Sequence, residues 1–228
     1  MSIRKYVNSM SSSVLSVVLC LKTCYDRREH KGDENKMQYD KTFVTAKLRK
    51  WKRVFGTVSL PAWDELPTID LYMDQVITLL LQYLSFFPAE LGGEKFVTQS
   101  AINNYVRLKV IPAPVKKRYT RIHLAYLIII CCLKATLNIS YIQKILPLSL
   151  DEADVSRIYT DFVAQFRVTS GAFISQVEAA VAQVLDPQDD SDTAVNALVS
   201  ATALNASLHK LLTEKLLNLQ NEDDLSKV

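Results

Sequence analysis

Glycine is scarce in this chain, five among 228 residues, and that scarcity narrows the choice of folds. Architectures built from many short strands need glycine at their tight turns. With only Gly32, Gly56, Gly92, Gly93 and Gly171 to draw on, an all-β sandwich or barrel is disfavoured. Long segments lack glycine and proline and are rich in Leu, Ala, Ile, Val and Gln, which predicts a mainly α protein. Apolar residues make up 49% of the chain, enough for a packed core and too many for wholesale disorder.

Other absences exclude whole classes of function. The four cysteines form no disulfide framework: Cys131 and Cys132 are adjacent inside an apolar run and read as buried thiols. Cys20 and Cys24, with His30 following, lack a fourth ligand for zinc. No metal and no cofactor is therefore expected, and a reducing cytoplasmic location fits best. The longest apolar run, LAYLIIICCL at 124–133, is half the length of a membrane span of about 20 residues; it reads as a core helix, and no membrane partner is expected. VLSVVLCL at 14–21 imitates a signal peptide, but it leads into DRREHKGDENK and not into a small-residue cleavage site. Residues 1–36 are instead expected to be a flexible tail, or the product of a start codon assigned upstream of Met37. No Gly-rich phosphate loop or G-x-S-x-G elbow occurs, and His30, His123 and His209 are scattered. No catalytic residues are assigned, and an enzyme is not expected.

Acid, finally, is missing where base is densest. Residues 95–150 hold nine basic and no acidic residues, whereas 151–228 hold five basic and thirteen acidic, and 1–94 are close to balance at +2. Six of the 27 Lys and Arg fall within RLKVIPAPVKKRYTR, 107–121. A basic block of this kind is the electrostatic footprint of a surface that meets polyanions.

Punctuation and periodicity predict a helix over 68–87, closed by FPAELGG, and a short helix over 98–108. IPAPVKKRY is kept extended by Pro112 and Pro114. A helix over 121–137 is capped by Thr120 and a further one by Ser140, ending before Pro147. A long helix then spans 150–185 with Ser170-Gly171 as its weak point, 186–192 form a loop, and a last helix covers 193–219. Three regions result: the tail 1–36, a basic module 37–149, and an acidic helical module 150–228 suited to dimerisation or to holding an effector, whose identity the sequence does not reveal. The last helix spaces Val195, Leu198, Val199, Leu208, Leu211, Leu212, Leu216 and Leu219 helically. They would either pair with a second copy or pack on helix 150–185, and the Ala and Ser of its first half allow close approach in both cases.

Helix 98–108 carries the most specific chemistry. Gln99, Ser100, Asn103, Asn104 and Arg107 share an arc of about 140° at 100° per residue, while Ala101, Ile102, Tyr105, Val106 and Leu108 occupy the other side. Asn and Gln bond adenine bidentately in the major groove, and Arg does so with guanine. A plain solvent-facing helix would favour Glu and Lys, which are better helix formers than Asn. Asn103, Asn104 and Arg107 are therefore expected to face base edges, with Gln99 and Ser100 at the rim. Lys109, Lys116, Lys117, Arg118 and Tyr119 would position the protein on phosphates.

The order Ser100, Ile102, Asn104, Tyr105, Val106, then Ile111, Pro112, Pro114, Lys116, Lys117, Tyr119, Thr120, His123, Leu124, Ala125 and Leu127 resembles a bacterial family of domains of unknown function regarded as helix-turn-helix regulators. WDELPTIDLYMDQVITLL at 63–80 looks like the same family, and the likeness runs from Trp63 to Leu146. A more distant similarity, carried by Ile102, Tyr105, Val110, Ile111, Pro112, Tyr119 and Thr120, links 98–145 to MerR-type regulators. There Lys109 stands where that pattern has Gly, and the wing is shorter and lacks its glycine. The resemblance implies a winged helix-turn-helix-like core with a C-terminal helical module, and a transcriptional regulator that binds double-stranded DNA as a homodimer. The alternative is a non-enzymatic helical interaction module with an acidic protein partner. RNA is a weaker third option, because the polar face offers no exposed ring for stacking.

Overall fold

The structure, a computed structural model, describes residues 41–87, 90–91, 94–95, 97–149, 151–184 and 191–219. The tail expected at 1–36 and the Cys20–Cys24–His30 pattern lie outside the described residues, as does most of the loop expected at 186–192.

The described part is mainly helical. In chain order it contains α1 (Lys41–Gly56), a 3-10 turn (Trp63–Glu65), α2 (Met73–Tyr83), the two-residue strands β1 (Glu90–Leu91) and β2 (Glu94–Lys95), α3 (Gln99–Arg107), α4 (Arg121–Leu133), α5 (Ile139–Ile145), α6 (Glu152–Val184) and α7 (Ser191–Asn218). β1 and β2 pair antiparallel, Glu90 with Lys95 and Leu91 with Glu94.

Helix α4 is the axis of the main core. Every residue from His123 to Cys131 is buried, as expected of a helix apolar all round. Against it collect Val76 and Leu80 of α2, Ile102 and Tyr105 of α3, Tyr119, Ile142 of α5, and Val155 and Tyr159 of α6. Buried phenols tie the outer elements to this core. The Tyr126 hydroxyl donates to the Pro147 carbonyl at 2.9 Å and accepts from the Ser149 N–H at 2.8 Å. The Tyr159 hydroxyl donates to the Pro61 carbonyl at 2.9 Å.

A second, small cluster joins Leu48 of α1 to Val195 of α7, with Val44, Val181 and Leu198 around them. α1 lies along α6, and Lys52 Nζ sits 2.7 Å from Glu178. Both side chains are about half exposed, so the pair adds little stability. The expected boundary at 149–150 is thus crossed on both sides. The start of α6 belongs to the main core, and α1, which the sequence does not mark as a helix, packs with the C-terminal helices.

Element boundaries differ from the sequence-based expectation where backbone groups have other partners. α2 begins at Met73 and not near 68, because Leu71 pairs with Tyr119, N–H to carbonyl in both directions at 2.8 and 2.9 Å. The Tyr72 N–H then donates to Gln75 Oε1 at 2.8 Å, closing the helix start. α4 stops at Leu133, short of the expected 137. The cap of α5 is Asn138 and not Ser140: Asn138 Oδ1 accepts from the Tyr141 N–H at 3.0 Å, and the Ser140 hydroxyl donates to the same oxygen. α6 runs unbroken through Gly171, a position with open space around it, so its extra backbone freedom is not spent on a bend.

Leu127→Ala, in the fully buried middle of α4, is expected to cost about 2–5 kcal/mol in urea unfolding. Val168→Ala, on the exposed side of α6, should change stability by no more than about 0.5 kcal/mol.

Candidate nucleic-acid interface

Helix α3 forms as its sequence predicts, within one residue at each end. Thr98 caps it, its Oγ1 accepting from the Ala101 N–H at 3.0 Å. Ile102 and Tyr105 are buried against the core, and this turns Gln99, Ser100, Asn103 and Arg107 to solvent with Asn104 half-buried beside them. Arg107 Nη2 donates to Asn104 Oδ1 at 2.6 Å, so the guanidinium lies along the face and does not extend away from it. Thr98, Ser100, Ala101, Asn103, Asn104 and Arg107 line an open depression on this side.

The exit from α3 is a Schellman turn. The Val110 N–H donates to the Tyr105 carbonyl at 2.9 Å and the Lys109 N–H to the Val106 carbonyl at 3.0 Å. Lys109 is the residue between, at φ 55°, where glycine is the usual occupant. Gln143 of α5 donates to the Leu108 carbonyl at 2.7 Å and ties the turn to its neighbour.

A two-residue hairpin follows. The Arg118 N–H donates to the Val115 carbonyl at 2.9 Å, and the two residues form an antiparallel bridge around Lys116 and Lys117. Both lysines have positive φ, 49° and 61°, the pattern of a primed turn that normally calls for Asn-Gly. Among the described residues other than glycine, Lys109, Lys116 and Lys117 are the ones with positive φ, and left-handed backbone costs about 1–2 kcal/mol for a side chain bearing a Cβ.

Behind the tip the hairpin is anchored. Tyr119 pairs with Leu71, and the Arg118 guanidinium lies 3.9 Å above the Tyr72 ring. Lys116 and Lys117 are exposed and Arg118 half-buried. Tyr119, expected to touch phosphates, is instead a core residue, 3% exposed and edge-on to His123 at 5.3 Å; burial pushes its phenol pKa up. Because side chains alternate along an extended segment, Arg118 faces out and Tyr119 faces in. The Tyr72 platform was not legible in the sequence, since it depends on the Leu71–Tyr119 pairing.

His123 joins the hairpin to α4. Its Nδ1 accepts the Thr120 N–H at 3.0 Å and lies 2.9 Å from the Thr120 hydroxyl, which puts the neutral-ring proton on Nε2. That nitrogen is buried and has no hydrogen-bond partner, although the Ala113 and Pro112 carbonyls are near the ring. Burial lowers the His123 pKa below 6.5; those carbonyls and the Asp70 charge pull weakly the other way. Next to it, Arg121 lies over the Trp63 ring at 5.3 Å and 3.9 Å from Glu152. Burial also holds the thiols protonated, Cys131 up to about 11 and Cys132 up to about 12. Among the described residues no group of His, Cys, Asp and Glu is placed to hold a metal ion, and no helix is long and apolar enough to cross a membrane.

Residues 61–162 match the model of a protein family described as a domain of unknown function, DUF1836. The match takes in 102 of the chain's 228 residues. It spans the 3-10 turn through α5 and the first turns of α6, and so contains α3, the lysine hairpin and the His123 junction. This agrees with the sequence resemblance to a family of domains of unknown function. No curated protein and no solved structure matches the chain.

Two outcomes test the site as a structure. The unfolded state binds a proton at His123 more readily than the folded one, so stability is full above about pH 6.5 and lost as pH falls below it. Urea midpoints from pH 7.5 to 5 should drop, and His123→Gln, which keeps an acceptor for the Thr120 N–H and does not titrate, should flatten that part of the profile. Lys109→Gly should raise stability by about 1 kcal/mol by removing the Cβ from a left-handed position.

Proposed function

We propose that this protein is a sequence-specific, double-stranded DNA-binding regulator of transcription, with α3 in the major groove and the lysine hairpin on the flanking phosphates. The observation that carries this reading is the exposed face of α3: Gln99, Ser100, Asn103, Asn104 and Arg107 together, in a segment without an acidic residue. Amides and a guanidinium are the groups that distinguish base edges.

The strained turns support it from a second direction. Lysine occupies three positions where glycine or asparagine would cost less, and each places a cation at a loop tip. Strain retained against stability is what functional positions show. In this reading Lys109, Lys116 and Lys117 neutralise phosphates. Arg118 contributes its charge from its seat on Tyr72, and Tyr119 supports the hairpin from inside. α3 and the hairpin form a winged helix-turn-helix with a distant MerR-like character, in a cytoplasmic homodimer that reads two half-sites.

The test is binding of the purified protein to fragments of its own gene neighbourhood against random duplex, across a salt series. A preferred fragment should emerge, and contact with about four to six phosphates should give a log–log salt slope of roughly −4 to −5. Asn104→Ala and Arg107→Ala should each lose about 1–3 kcal/mol on that fragment and little on random DNA, whereas Lys116→Ala should weaken both alike. Equal losses on every duplex would leave only a basic surface and make an acidic protein the better partner.

A further inference from the structure

Helix α7 wears its leucines on the wrong side for a helix that only packs on its own chain. Its inward contacts are few: Val195 and Leu198 in the second cluster near its start, and Leu217 on the main core near its end, where Asn218 also donates to the Tyr141 hydroxyl at 3.3 Å. Leu204, Leu208, Leu211, Leu212, Leu216 and Leu219 are all exposed, between 43 and 61%. At 100° per residue these six fall within an arc of about 140°, and Ala197 and Ala201 extend it toward the helix start. Leu217 and Val195 lie well outside that arc, and Leu198 sits at its edge, in line with Leu216. The stripe from 197 to 219 is roughly 33 Å long at 1.5 Å per residue, and exposed apolar surface on that scale marks an interaction site.

We infer that the stripe is a self-association surface, on which α7 of one copy lies antiparallel against α7 of a second copy. This gives the homodimer of the proposed regulator its interface, and it stands or falls without DNA. The occupant follows from how the stripe is graded. Within its 3-4 repeat, Ala197 and Ala201 come first, Leu204, Leu208 and Leu211 next, and Lys215 last. A two-fold axis between Leu204 and Leu208, at the height of residue 206, places Leu204 against Leu208 of the partner subunit, Ala201 against the partner's Leu211, and Ala197 against the partner's Lys215. Small side chains then meet large ones in each outer layer, which fills the layer without crowding. The lysine stem lies over an alanine with its ammonium free to reach water. Parallel pairing would instead stack alanine on alanine, leaving gaps, and bring two Lys215 ammonium groups together in the seam. Two such stripes face to face would remove on the order of 1,000 Å² from water, the size at which specific interfaces begin.

The experiment measures mass in solution without nucleic acid, by sedimentation or light scattering over a micromolar dilution series. The wild-type chain should run at twice its 25.8 kDa mass. Leu204→Glu and Leu208→Lys should each weaken the dimer by roughly 100-fold or more, the consequence of a charge left unpaired in an apolar seam. Their far-UV circular dichroism should stay native, since both positions are exposed in the single chain. The double variant Leu204→Glu/Leu208→Lys should dimerise again, because each Glu then faces a Lys of the other copy across the antiparallel axis. A wild-type chain that stays monomeric, singles that stay dimeric, or a double variant as monomeric as the singles would each overturn the inference. None of these results bears on α3 and its bases, so this interface and the DNA reading can fail separately.

Discussion

A helix with no face toward water sets the terms for everything around it. From His123 to Cys131, α4 offers solvent nothing, so its surroundings must be closed on every side by other elements. α2, α3, α5 and the start of α6 each contribute an apolar side to that closure, and Tyr119 fills the gap between them. The direction of α3 is therefore not free. Ile102 and Tyr105 must point at α4, and the amides and Arg107 are thrown outward as a consequence. A hydrophobic requirement at the centre decides where the polar chemistry stands at the surface.

The same core also fixes the hairpin. Tyr119 is buried and backbone-paired with Leu71, His123 bonds back to Thr120, and Arg118 rests on Tyr72. With its base held at these points, the loop of Lys116 and Lys117 can sustain positive φ without relaxing. Lys109 is held in the same manner by the two Schellman hydrogen bonds and by Gln143 beneath the turn. Backbone strain persists only where surrounding structure over-determines it, and here the surroundings are a few hydrogen bonds and one buried ring.

The short-range signals in the sequence were legible, and the long-range ones were not. The amphipathic pattern over 98–108 marked α3 almost to the residue, and the run LAYLIIICCL marked α4 as core. The helix start at Met73 could not be read, because Leu71 belongs in pattern to the helix and in the fold to Tyr119, 48 residues later. Tyr119 itself looked like a surface residue in a basic stretch; only the alternation of the hairpin put it inside. α1 was missed as a helix because its six basic residues dominate the pattern, while its inward stripe of Val44 and Leu48 is thin and finds its partners on α6 and α7. Asn138 displaced Ser140 as a cap, two residues earlier, a difference that depends on where the preceding helix lets go.

The chain's two indoles happen to divide the structure between them. Trp51 stands on the exposed side of α1, beside the small cluster shared with α6 and α7, while Trp63 is partly buried at the main core, between Arg121 and Tyr159. Their fluorescence therefore reports from two different places. Trp51 emits from water and Trp63 from a half-shielded site next to a cation, so a chain keeping only one of them would light up one packing unit alone. Opening of the main core should therefore shift the colour of Trp63, while Trp51, already in water, keeps its own, so a change of colour reports on the core alone, with no label attached.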